Sequence, residues 1–253
     1  MLSCVHCIRL TIPRKLKFWI HIIRPLYKMI IPLEIRRRRN VDKSIMTDVM
    51  VISLLCWQID FGMTIQTKFY RFLSENCFPI GYIPEESRFN RICNHDKGIL
   101  TDIRLFLIFK YVHPKYSILD SFPMPECKYI RDGRAKLFEH NNAGFGYNST
   151  KRVHYRGFKG HFEISDQGFV LAYETTNPAI HDVNIASDLL RRYSTRYVLA
   201  DKGYISKKLH DYWAQYGVYI WTPKRRNMKQ YKYNDRKLRR LRVELKQYFQ
   251  SGI

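Results

Sequence analysis

The spacing of apolar residues divides the chain into a helical first part and a second part of mixed strands and helices. Between residues 44 and 112 apolar positions recur at intervals of three and four, which is typical of amphipathic helices. The run Pro84-Glu85-Glu86 predicts a helix start, because proline fits a first turn and acids favour the positive end of the helix dipole. We expect one helix over 87–93 and another from 96 or 97 to 111.

Beyond His113-Pro114 short apolar runs and two-residue alternation favour strands. The alternation changes phase at Gly157, which predicts a β-bulge. The predicted elements are a strand at 116–119, a loop-rich insert at 123–150, a hairpin of strands at 153–164 and 169–173 around the turn 165–168, helices at 183–193, 206–216 and 235–250, and strands at 196–200 and 218–221. This order is that of an RNase H-like domain.

The pattern therefore predicts an α/β (α+β) protein, in which a helical N-terminal module precedes an RNase H-like mixed five-stranded sheet flanked by helices. We expect an irregular, basic N-terminal arm over 1–40, ending in the arginine run 36–39, a helical module over 41–113 and the sheet domain over 114–253. The helical module fits a helix-turn-helix-like DNA-binding module or a helical cap on the next domain, and the sequence does not separate the two.

The charge of the chain is strongly positive. There are 44 Lys and Arg against 22 Asp and Glu, a net charge of +22. Such an excess predicts a polyanionic partner, because each neutralised phosphate releases condensed counterions.

The apolar stretch 18–35 is interrupted by charged residues and prolines, and the start does not resemble a signal peptide, so we expect a cytoplasmic protein without membrane association.

Cysteine usage points to the same compartment. The six cysteines are scattered, which favours reduced thiols. Cys4 and Cys7 form a lone CxxC, and no second pair follows at zinc-finger spacing, so the sequence gives little support for a zinc site.

Two aspartates directly follow predicted strands. Asp120 ends the first strand and Asp201 ends the fourth, and in an RNase H-like sheet those two strands are neighbours. Glu244 falls on the edge of the apolar stripe of the last predicted helix, from which it can lean over the end of the sheet. Taken singly, Asp120 is equally typical of a turn or cap, and Glu244 of an exposed partner for Arg240 or Lys237.

Together these three acids predict a metal site. Crowded carboxylates stay ionised only where a cation compensates them, and oxygen ligands favour Mg²⁺ or Mn²⁺. Two such ions would serve an in-line displacement at phosphorus.

From residue 222 to 246, eleven of 25 residues are Lys or Arg, which indicates either a solvated basic helix or a phosphate-binding surface. The phosphate-contact candidates are Lys202, Lys224, Arg225, Arg226 and Lys229. His181 and Asp182 favour a helix start over a functional pair.

Five segments resemble motifs of bacterial insertion-sequence transposases of the DDE type. They are SILDSFP at 117–123, YRGFKGH at 155–161, NPAIHD at 177–182, LADKGY at 199–204 and TPKRRN at 222–227. The resemblance spans residues 40 to 245 in order. It implies nicking at the ends of a mobile element, followed by attack of the freed 3′-OH on target DNA, with Asp120, Asp201 and Glu244 as the metal-binding acids.

The resemblance also implies double-stranded DNA, as element ends and target, for a partner, a homo-oligomer on that DNA, and a bacterial, nucleoid-associated location. The segment 240–245 only approximates the family's glutamate motif, and nine residues follow Glu244 where the family has a longer helical tail. We therefore expect a C-terminally truncated or frameshifted copy. The alternative functions are an inactive relict that only binds DNA and a nuclease without strand transfer.

Overall fold

A computed structural model of the chain describes residues 13–128, 142–148 and 151–225, together with residues 228, 236, 240, 241 and 243. The chain divides into two compact units, Met1–Lys110 and Tyr111–Ile253. In the described part of the chain no helix is both long and apolar enough to cross a membrane. The predicted CxxC at Cys4 and Cys7 lies outside the described residues.

The first unit is helical. Its helices are α1 (Arg14–Ile30), α2 (Leu33–Arg36), α3 (Asp48–Asp60), α4 (Gln66–Asn76) and α5 (Glu86–Tyr111), with a short 3₁₀ turn at Val41–Lys43. The expectation of an irregular arm over 1–40 is wrong for α1. Leu16, Ile23 and Tyr27 are buried at helical spacing and pack with α3 and α5 residues, while the basic residues occupy the opposite face. This packing offsets the cost of Pro25 inside the helix.

The two helices expected between 87 and 111 form one helix, α5. Its buried positions, Phe89, Cys93, Asp96, Ile99 and Ile103, follow at intervals of three and four without a break. Asp96 is fully buried within the helix and therefore does not cap a new one. The sequence suggested a boundary at Asp96 because aspartate and the following glycine are typical of helix ends.

The second unit is built on one mixed sheet. Its elements are β1 (Ser117–Lys128), β2 (Gly144–Asn148), β3 (Val153–Ser165), β4 (Val170–Thr176), α6 (Asp182–Arg192), β5 (Tyr197–Ala200), α7 (Lys207–Ala214) and β6 (Tyr219–Trp221). The strand order is β2-β3-β1-β5-β6, and β4 also pairs with β3. β1 and β5 are parallel, as are β5 and β6, and the remaining pairs are antiparallel. The predicted fold class is confirmed, with β2 as an additional strand.

The strand β1 continues nine residues beyond its predicted end at 119. Pro123 and Pro125 suggested a loop, but both lie beyond Leu119, the last residue paired with β5. Beyond Leu119, the edge of β1 that faces β5 has no further partner among the described residues. A proline there, which lacks an N–H, therefore removes no hydrogen bond between strands. A bulge lies at Gly157, but its extra residue is Glu126 on β1 and not a residue of the strand in which it was predicted. A Cβ on Gly157 would lie 2.2 Å from the Met124 carbonyl oxygen.

One face of the sheet is covered by α6 and α7. Leu119, Ala172 and Ala200 on the strands pack with Leu189 of α6 and Trp213 of α7. The indole nitrogen of Trp213 donates to the Ser187 hydroxyl at 3.1 Å, which ties the two helices together. This core fixes the strand order that determines where the strand-end aspartates lie. Most of the helix predicted at 235–250 lies outside the described residues.

Candidate active site

Asp120 and Asp201 lie side by side where the parallel ladder between β1 and β5 ends. Leu119 and Ala200 form the last pair of that ladder, and each aspartate is the next residue along the chain. Asp201 keeps an extended backbone, with φ −80° and ψ 174°. Because side chains alternate along a strand, both carboxylates point to the face opposite Leu119 and Ala200, on strands about 4.8 Å apart. Both residues are half-buried. The structure therefore brings together the two aspartates that the sequence singled out.

The third predicted acid, Glu244, lies outside the described residues, so its approach to the aspartates stays a prediction. Within the described ranges, no three His, Cys, Asp or Glu side chains are grouped so that they could hold a metal ion. The described part of the site is a pair of carboxylates. A pair without a cation is electrostatically unfavourable, and its oxygen donors are the kind that Mg²⁺ and Mn²⁺ prefer.

The turn after Asp201 is held by packing. Residues Lys202–Tyr204 form a 3₁₀ turn, in which the Tyr204 amide donates to the Asp201 carbonyl at 3.0 Å. Tyr204 is fully buried in the core, whereas Lys202 is exposed. Gly203 lies directly against Asp182, because a Cβ at this position would be 2.6 Å from Asp182 Oδ2. A larger residue at this position would therefore have to displace the Asp182 carboxylate oxygen.

Asp182 connects this turn to strand β3. Its Oδ1 accepts from Lys159 Nζ at 3.2 Å and lies 3.7 Å from Nδ1 of the buried His161. The other ring nitrogen of His161 lies 2.8 Å from the Thr176 hydroxyl, and burial lowers the pKa of His161. Asp182 begins α6, and in addition it fixes the Asp201 turn. Sequence reasoning named Asp182 but missed Lys159 and His161, although both fall in the YRGFKGH segment.

A second buried network links three strands behind the aspartates. Glu163, on β3 opposite Leu119, is fully buried. Its Oε1 lies 2.6 Å from the Ser117 hydroxyl, which lies 2.8 Å from the Thr195 hydroxyl, and Thr195 donates to the Tyr197 carbonyl at 2.8 Å. Burial raises the pKa of Glu163 to about 8. No sequence pattern predicts this network, because its members are far apart in the chain.

The described basic candidates lie at the same edge of the sheet. β6 runs parallel to β5, so the residues after Trp221 leave the sheet on the side of Asp201. Lys224 is half-buried and Arg225 is exposed, while Arg226 and Lys229 lie outside the described residues. Lys224 also lines a pocket of about 490 Å³ with Lys207, His210 and Trp221. Cationic side chains therefore lie near a carboxylate pair, as expected of a site that accepts phosphates.

The comparisons with known proteins agree with this arrangement. Residues 112–248 match the family described as Transposase DDE domain. The matched region is more than half of the chain and contains every strand of the sheet, so the chain belongs to the DDE transposase domain family. The resemblance to DDE-type transposases is thereby confirmed, and a bacterial origin stays a prediction.

One solved structure is a cryo-EM structure of a piggyBac transposase synaptic complex with hairpin DNA. The similarity covers 87% of this chain and 50% of that one, at 12% sequence identity and a TM-score of 0.35. The chain thus spans about half the length of that transposase. No curated protein matches the chain.

Proposed function

We propose that this chain is a DNA transposase that nicks DNA at the ends of a mobile element and transfers the freed 3′-OH to target DNA. The family assignment makes it a transposase domain. The register of β1 and β5, which puts Asp120 beside Asp201, is the observation that supports this reaction. The proposed third acid is Glu244.

In this proposal, Asp120, Asp201 and Glu244 hold Mg²⁺ or Mn²⁺, most simply two ions. When bound, such ions activate the attacking hydroxyl and stabilise the leaving oxygen in an in-line displacement. The protein's part is to hold the carboxylates in one place. The β1–β5 register sets their spacing, and Asp182 against Gly203 fixes the turn that follows Asp201.

Basic residues beside the acids would hold the DNA. We assign phosphate contacts near the scissile bond to Lys202, Lys224, Arg225, Arg226 and Lys229. These contacts position the duplex without reading its sequence. The partner is double-stranded DNA, as element end and as target, and the proposed assembly is a homo-oligomer on that DNA in the cytoplasm of a bacterium.

The test uses the purified chain, Mg²⁺, and duplexes made from the genomic sequences that flank its coding region. We expect nicked ends and, with a target plasmid, joined products. Asp201→Asn is expected to abolish nicking and to leave salt-sensitive binding nearly intact. Asp188→Asn, an exposed change on α6, is the matched control.

The other possible outcomes of this test each indicate a different function for the chain. A gel shift by the wild-type chain without nicking indicates a relict that only binds DNA. Hydrolysed ends without joined products indicate a nuclease. Normal nicking by Asp201→Asn would place the active site elsewhere.

A further inference from the structure

The helical unit contains a basic pocket that the proposed reaction does not use. The pocket has a volume of about 640 Å³ and lies between the loop around residues 38–44 and one face of α5. Two buried carboxylates, Asp48 and Asp96, line it together with Lys43, Arg88 and Arg91.

Both carboxylates of the pocket have partners within the protein, although Asp96 Oδ2 forms no hydrogen bond with a described residue. Asp48 receives a bidentate pair of bonds from Arg38, at 2.6 and 2.7 Å, and a third from the Tyr27 hydroxyl at 2.5 Å. Asp96 lies 3.0 Å from His95 Nδ1 and 3.9 Å from the Arg38 guanidinium. Burial also raises the pKa of Asp96. Arg38 is thus a structural partner of the two acids.

Three other cations of the pocket are left for an external partner. Lys43, Arg88 and Arg91 are exposed, and none of them forms an ion pair with a described side chain. Arg88 and Arg91 are three residues apart on α5, so both point from the same side of the helix, with His95 one turn further on. The helical unit as a whole is also basic, since residues 1–110 contain 18 Lys and Arg against nine Asp and Glu.

We propose that this pocket binds a backbone phosphate of double-stranded DNA. Arg88 and Arg91 would donate to the phosphate oxygens, and Lys43 would face an adjacent phosphate. Guanidinium groups match the geometry of phosphate oxygens with paired donors. A space of about 640 Å³ admits a phosphate with its neighbouring sugar and water. This inference rests on the proposed function, and it favours a DNA-binding module over a helical cap.

The experiment compares two double variants of equal charge. Arg88→Gln with Arg91→Gln removes the pocket's arginines, and Lys68→Gln with Arg71→Gln removes two exposed cations of α4 that do not line the pocket. Binding of a fluorescent duplex is measured by anisotropy across a series of salt concentrations. Losing the contact with this one phosphate should lower the slope of log K against log salt by about 0.9 and weaken binding about 8-fold at 0.1 M salt. The α4 variant should keep the wild-type slope.

A charge-preserving variant tests whether the pocket is specific. Arg88→Lys with Arg91→Lys should keep the slope and lose affinity, because lysine cannot form paired bonds to one phosphate. Equal slope losses in the Arg88/Arg91 and Lys68/Arg71 glutamine variants would overturn the proposal in favour of diffuse attraction. If the Arg88/Arg91 glutamine variant lost affinity for an RNA duplex but not for a DNA duplex, the pocket would bind RNA and the proposal would be overturned. A wild-type chain that binds no DNA would instead refute the proposed function itself.

Discussion

Replacing Glu163 by glutamine removes one titrating group from the core of the catalytic unit. Glu163 is fully buried, and the one hydrogen bond that its side chain forms with a described residue is accepted from the Ser117 hydroxyl at 2.6 Å. One such bond does not offset the cost of burying a charge, so burial favours the protonated carboxyl. Glutamine keeps an oxygen that can accept from Ser117 and carries no titrating proton.

The magnitude follows from the pKa of Glu163, which is about 8 when folded, against a reference of 4.5. Between these values the folded state binds one proton more than the unfolded state. The stabilisation is therefore complete below the unfolded pKa and is lost as the pH rises towards the folded pKa. The loss approaches about 1.4 kcal/mol per pH unit, or about 2 kcal/mol from about pH 6 to about pH 8. Glu163→Gln should not show this loss.

The assay is hydrogen exchange of the peptides that contain β1 and β3, because it reports on this unit alone. The quantity to compare is the difference in opening free energy between wild type and Glu163→Gln at each pH. The buried His161 and the half-buried His210 have lowered pKa values, but their contributions to stability are the same in both proteins and cancel. Asp188→Asn, at the surface, should show no such trend. A difference that stays constant from about pH 6 to about pH 8 would refute a protonated Glu163.

Three further predictions concern the site. Replacing Arg225 and Arg226 by Ala should weaken binding to all DNA sequences and lower the salt slope by about 0.9 per lost contact; an unchanged slope argues against this surface. Gly203→Ala should displace Asp182 and slow nicking by about 100-fold at unchanged DNA affinity. The control is Gly98→Ala, in open space on α5, which should stabilise the fold by about 0.5–1 kcal/mol. Equal nicking rates for the two variants would contradict the role of Gly203. Chelation by EDTA should stop nicking reversibly, with Mn²⁺ restoring it.

The sequence was most informative where a single strand carries the signal. Asp120 and Asp201 each follow an apolar run, and the order of elements was enough to predict that their strands are neighbours. The sequence was least informative where contacts depend on register. Glu163, Lys159 and His161 act through partners on other strands or on α6, and a two-residue period does not say which residues lie opposite each other.

The helical part shows a different limit. The apolar stripe of α1 was obscured because Pro25 and many basic residues made the first 40 residues resemble a solvated arm. Tertiary packing against α3 overrides those local signals. In β1, prolines suggested a loop only because the missing partner on one side could not be known from the sequence.

The parallel ladder between β1 and β5 contains only three residue pairs, and it joins positions about 80 residues apart. Contacts over such a distance close late in folding, after the local hairpin and helices. While the chain is being synthesised, Asp120 emerges long before Asp201, and the two meet only when the intervening β-hairpin and α6 are in place. An incomplete nascent chain therefore lacks the paired aspartates, since the two meet only when the ladder closes.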